Sequence, residues 1–249
     1  MPSTTAGFIR SVPAADDPRV LRRLDELALQ WELAADFSGR IALLLSLVRD
    51  CPHSLTTVRE PAEGVEVHVA DSLSGLAVPE LRTADRIADL GTGAGFPGLV
   101  LAAALPQSHV AAVESVGKKS AFIADAAERM GLGNVEVVPL RAEEWAAGAG
   151  SAGVVTARAL ASLAVLLEYA APLLRPAGLL VAWKAQRDPR EESHARSAAA
   201  VLGMEIPEAL VLPGAHGAER RLYLSRKVRD TPARFPRRPG MARKRPLAP

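Results

Sequence analysis

The chain has 249 residues, 49% hydrophobic and only 4% aromatic, which excludes a wholly disordered polymer and allows one large aliphatic α/β core. Its one cysteine, Cys51, excludes an internal disulfide and a cysteine-based metal site. The net charge of +2 is uneven: residues 227–249 hold eight Lys or Arg against Asp230 alone, leaving −5 on the rest, so a polyanionic partner is expected.

Residues 1–17 lack a basic stretch followed by an apolar core, and apolar runs such as 41–48 are too short to span a membrane. A cytoplasmic, soluble chain is expected. The first elements read as helices. Asp17 is an N-cap with Pro18 behind it. Val20, Leu21, Leu24, Leu27, Ala28 and Trp31 then share one face. A second helix carries Phe37, Ile41, Leu44, Leu45 and Val48. A third is predicted over 61–76, with Val65, Val69 and Leu73 inward and Gly64 counting against it.

From Arg86 the rhythm becomes strand, helix, strand. Strands are predicted over 86–90, 109–114, 135–138, 153–157 and 179–183. Helices fall around 97–105, 118–130, 162–174 and 189–202. Apolar strands alternating with helices indicate a parallel sheet covered on both faces. Residues 205–212 and 220–228 are strand-like, and the short turn between them, with Pro213, Gly214 and Gly217, leaves no room for a helix. They are predicted to pair as an antiparallel hairpin. The fold class is therefore α/β: a Rossmann-like, mostly parallel sheet with an antiparallel C-terminal hairpin, the layout of class I S-adenosylmethionine-dependent methyltransferases. Three regions are predicted: a helical cap over 1–80, the sheet domain over 81–228 and a basic tail over 229–249.

The strongest motif runs from Asp89 to Gly98, with Gly91, Gly93, Gly95 and Gly98 between a strand and a helix. Glycines admit sharp turns and close approach of a ligand to backbone. Glu114 ends the next strand, where an acid hydrogen-bonds ribose hydroxyls. Asp89 just before the loop suits a cationic cofactor and not a pyrophosphate. S-adenosyl-L-methionine is therefore the predicted cofactor. Ligands of open parallel sheets lie beyond the strands' carboxyl ends. Arg141, Ala142, Glu143, Arg158 and Lys184 also fall there.

These segments, with Leu55 to Arg59, His68 to Leu73, Glu114 to Lys119, Arg141 to Glu144, Ala157 to Ser162, Trp183-Lys184 and Pro236 to Gly240, resemble the RsmG family, also called GidB. The resemblance runs from about Trp31 to Pro246. Its members are 16S ribosomal RNA methyltransferases that methylate guanosine N7. It implies cofactor contacts from Gly91, Phe96, Ala142, Glu143 and Arg158, in addition to Asp89, Gly93 and Glu114. Arg59, His68, Lys184, Arg237 and Arg238 are the candidate substrate contacts. The chain departs from the family at Ser54 and Glu32, where Asn is usual, and at Ala185, where Gly follows the lysine.

Guanine N7 carries a lone pair and no proton, so its methylation needs positioning and no general base; no catalytic side chain is assigned. His68 and Asp71 are either substrate groups or a pair locking cap to sheet. His53, His194 and His216 lack ligand spacing, and no metal is expected. The partner is 16S ribosomal RNA or the small ribosomal subunit, met by a monomer whose tail contributes phosphate affinity independently of the cofactor. Methylation of another RNA base or a small molecule, a nicotinamide-dependent oxidoreduction, and RNA binding without catalysis are the rival readings.

Overall fold

The computed structural model describes residues 17–214 and 219–247. Residues 1–16, His216 and Gly217 lie outside the described residues.

Asp17 caps the helix Pro18–Trp31 by accepting from Arg19 N, and Val20, Leu24 and Leu27 are buried on its inner face. The helix Phe37–Asp50 buries Phe37, Ile41, Leu44, Leu45 and Val48, as its 3.6-residue period predicts. Residues 61–77 wind continuously, but not as one α-helix. An α-turn at Pro61–Gly64 passes into a π-helical stretch, Val65–Ala70, and then through Asp71–Leu73 to a 3-10 turn at Ser74–Ala77. Gly64 favours this packing: a Cβ there would lie 2.9 Å from Leu45 Cδ2.

Seven strands form one sheet in the order β3-β2-β1-β4-β5-β7-β6. β1 is Arg86–Leu90, β2 His109–Val113, β3 Val135–Val138, β4 Ala152–Arg158 and β5 Leu174–Lys184. These five run parallel. β6, Glu208–Pro213, and β7, Glu219–Arg226, form the predicted hairpin, and β7 pairs antiparallel with β5.

Alternate strand residues feed opposite cores. Ile87, Val154 and Val181 join the helices at 18–31, 37–50, 98–104 and 117–129. Ala88, Val155 and Leu180 join the helices at 163–170 and 189–202. The N-terminal helices and the sheet therefore share one cluster of buried side chains.

One expectation is corrected. The helix predicted over 162–174 is shorter, Leu163–Ala170, and β5 begins at Leu174, extending the predicted strand back past a register shift against β4. The basic stretch 229–247 is held to the fold at two points. Phe235 and Ala242 are buried against the helix 163–170 core, and Met241–Lys244 form a short helix. Among the described residues no helix is long and apolar enough to cross a membrane.

Candidate active site

The loop after β1 is organised by Asp89. Its carboxyl is fully buried: Oδ2 accepts from Gly98 N at 2.9 Å and Oδ1 from Thr156 Oγ1 of β4 at 2.8 Å. Burial pushes its pKa up, against the pull of these bonds. Asp89 thus ties loop, helix 98–104 and β4 together, and both its oxygens face protein donors. The sequence reading placed it beside the cofactor; its role in the structure is to shape the loop.

Glu114 follows β2 and holds the loop from the other side. Its Oε2 accepts from Gly93 N at 3.1 Å and its Oε1 from Val116 N at 2.8 Å. The carboxylate is only 6% exposed, yet it lines a cavity of about 520 Å³. Each oxygen keeps a further lone pair for a hydroxyl. Gly91 shares that cavity with φ at +66°, and a Cβ there would meet Leu160 Cδ1 at 2.6 Å.

After β3, the turn Ala142–Glu144 brings Ala142 and Glu143 to the same cavity. Glu143 Oε1 accepts from Gly240 N at 2.9 Å. Tyr169 stands beside it, its phenol pushed up by burial and by the Glu143 carboxylate. Sequence reasoning missed Leu160, Tyr169 and Arg243 in this wall. Tyr169 lies within an apolar helical run that reads as core, and Arg243 lies in a stretch that reads as a phosphate-binding tail.

A second cavity, about 940 Å³, shares Ala159 as a lining residue with the first and is also lined by His68, Asp71, Arg158, Trp183 and Lys184. Arg158 donates to Asp71 Oδ2 at 2.9 Å and to Val67 O at 3.0 Å, and approaches His68 Nδ1 at 3.4 Å. Asp71 also pairs with Arg220 Nε of β7 at 3.2 Å. His68 and Asp71 thus converge on Arg158, locking the helical layer to the sheet. Trp183 adds a further tie, donating its indole N–H to Asp71 O at 2.8 Å. Phe96 stacks on His68 at 4.5 Å, and Arg158 lies 5.7 Å from the Phe96 ring centre. Burial pushes the His68 pKa down, so its ring is neutral at neutral pH. Lys184 Nζ pairs with Glu191 at 2.5 Å and donates to Ala161 O at 3.2 Å.

The structure therefore gathers Gly91, Glu114, Ala142 and Glu143 on one cavity and His68, Arg158 and Lys184 on the other. Gly93 contributes its N–H to Glu114, and Phe96 lies against the second group. Arg59 is turned away, donating to the carbonyls of Arg49 and Cys51. Arg237 is committed to Glu168, and Arg238 is exposed.

The cavity fits S-adenosylmethionine by its own chemistry. A fixed carboxylate suits vicinal hydroxyls, a bare glycine admits close approach, and Glu143 can accept from an exocyclic amine.

The family model described as rRNA small subunit methyltransferase G, GidB, matches residues 44–223. The ribosomal RNA small subunit methyltransferase G of Rubrobacter xylanophilus is 41% identical over 213 residues, covering 83% of this chain and 81% of that protein. Its namesake from Desulfitobacterium hafniense is 35% identical over 234 residues, covering 92% and 97%. Among solved structures, a SAM dependent methyltransferase from Aquifex aeolicus aligns with a TM-score of 0.53 at 18% identity, covering 67% of this chain and 93% of that one. That likeness is one of fold, and the sheet order agrees with it: this is a class I methyltransferase fold. Matched over most of its length by a family model and by relatives above 30% identity, the chain belongs to the GidB (RsmG) family of ribosomal RNA small subunit methyltransferases.

Proposed function

We propose that this protein transfers the methyl group of S-adenosylmethionine to N7 of a guanosine in 16S ribosomal RNA. The observation that carries the reading is a pair of cavities that share the wall residue Ala159, one with Glu114 and Gly91 on its wall, the other flanked by cationic side chains. When bound, the cofactor supplies an electrophilic methyl on a sulfonium. Gly91, Glu114, Ala142 and Glu143 would hold it, and the Asp89 and Gly93 contacts would keep the loop in shape.

The second cavity suits an acceptor that needs no base. Its charged groups are largely engaged with one another: Arg158 and Arg220 with Asp71, Lys184 with Glu191. His68 is neutral and hydrogen-bonded to Val58 O at 3.0 Å. Guanine N7 needs only alignment, so holding the base in line supplies the acceleration. A base must leave its stack to enter, because N7 faces the deep, narrow groove of an RNA helix. His68, Arg158 and Lys184 would border the entering nucleotide. The exposed Arg234, Arg238, Lys244 and Arg245 would meet phosphates of the same RNA. The protein would work as a cytoplasmic monomer without a metal.

The test is transfer of labelled methyl from S-adenosylmethionine to small ribosomal subunits lacking their N7-guanosine mark, with nucleoside mapping. Label in 7-methylguanosine of 16S RNA is expected. Label in another nucleoside, or none despite cofactor binding, overturns the acceptor and leaves a methyltransferase of different substrate.

A further inference from the structure

The last described stretch of the chain returns to the first cavity. Arg237 anchors it, its Nε and Nη2 meeting Glu168 Oε1 and Oε2 at 2.6 and 2.5 Å, with Glu168 only 1% exposed. The same guanidinium donates to Arg245 O at 2.9 Å and closes the segment on itself. A paired, buried carboxylate of this kind fixes position, because separating the pair would strand a charge away from water.

Two contacts then reach the cavity wall. Gly240 N donates to Glu143 Oε1, and Arg243 Nη2 donates to Leu160 O at 2.7 Å. Arg243 itself lines the cavity, next to Tyr169. Leu160 follows Ala159, which holds a left-handed φ of 51° unusual for a residue with a side chain. A backbone so placed is strained and persists only where surroundings impose it. Arg243 is one of those surroundings. Leu160 in turn packs over Gly91.

We propose that residues 237–245 are a wall of the cofactor site, and that Arg243 and Gly240 position Glu143 and Leu160 so that the pocket selects an adenine base. This rests on the reading of the first cavity as the S-adenosylmethionine site. It departs from the sequence expectation of a tail independent of the cofactor. Arg243 acts through Glu143, Tyr169 and Leu160, and is a positioning residue.

The probes are S-adenosylhomocysteine and S-inosylhomocysteine, in which a carbonyl replaces the exocyclic amine. Titration calorimetry is done on the full chain and on Arg243→Ala, Arg243→Lys and Tyr169→Phe. Wild type should prefer the adenosyl ligand, since a carboxylate accepts from the amine and repels the carbonyl. Arg243→Ala should lower adenosyl affinity by about ten-fold and narrow the preference by a similar factor. Arg243→Lys, still a donor to Leu160 O, should recover part of it. Tyr169→Phe keeps the ring and should narrow the preference even where Arg243→Ala folds poorly. Equal losses for both ligands, or an unchanged preference in both variants, overturn the proposal, because a merely structural wall would move both affinities together. Wild type binding neither ligand overturns the cofactor reading itself.

Discussion

In the first cavity a carboxylate meets backbone N–H groups; in the second, carboxylates meet guanidinium and ammonium groups. Glu114 fixes Gly93 and Val116 through atoms every residue possesses, so the loop side of the first cavity depends on glycine placement and one acid. Asp71 fixes Arg158 and Arg220 from strands far apart in sequence, so the second depends on side chains meeting across the fold. Backbone-built sites are local in sequence and stiff. Sites built from ion pairs are distributed, and sensitive to charge and to the layers they join.

Gly91→Asp should separate the two cavities most sharply. A side chain at φ +66° against Leu160 should cut cofactor affinity by ~100-fold or more, about 2.7 kcal/mol, with RNA binding retained. Calorimetry and a filter-binding assay on one preparation check both halves. Glu114→Ala should weaken the cofactor by about 1–3 kcal/mol through the lost charge-assisted bonds; unchanged affinity would mean that the ribose lies elsewhere. Asp71→Ala should do the reverse. It leaves Arg158 and Arg220 without their shared acid, costing about 1–2 kcal/mol of stability and most methyl transfer, with cofactor affinity within about three-fold. Thermal melting and single-turnover kinetics would show this, and an intact turnover rate would remove Asp71 from the acceptor side.

Smaller effects sharpen the contrast. Arg238→Ala should lower the slope of log affinity against log salt for RNA by about 1 without touching the cofactor. An identical slope would place Arg238 off the RNA path. His68, held neutral by burial, binds a proton more readily in the unfolded chain. Its contribution to stability is therefore complete above the unfolded pKa, about 6.5, and is lost as pH falls below it. His68→Gln should flatten melting temperature between pH 7 and 5, and an equally steep profile would assign that loss to other groups.

How much the sequence disclosed follows the same division. The sheet and its hairpin were legible because strand-helix alternation and two strand-like runs close together in sequence are local signals. Gly91 and Glu114 were legible because the loop and the next strand end are 23 positions apart with fixed geometry between them. The part Asp89 plays in shaping the loop was not legible, because its neighbours in space, Thr156 and Gly98, come from another strand and from the far end of the loop. Arg237 read as a phosphate contact because its partner, Glu168, sits on a helix that looks wholly apolar around it. Charge runs predict solvation only when no buried acid answers them.

The π-helical stretch at Val65–Ala70 carries a consequence for how this fold can vary. Each residue added to or removed from a helix turns everything beyond it by about 100°. Three donors converge on this segment: Arg220 on Glu66 O, Arg158 on Val67 O, and Trp183 on Asp71 O just beyond it. Deleting one residue between Val65 and Ala70 would restore ordinary winding, keep nearly every side chain named, and aim them elsewhere. The number of residues there is itself information, and drift by insertion or deletion should be far less tolerated than drift by substitution.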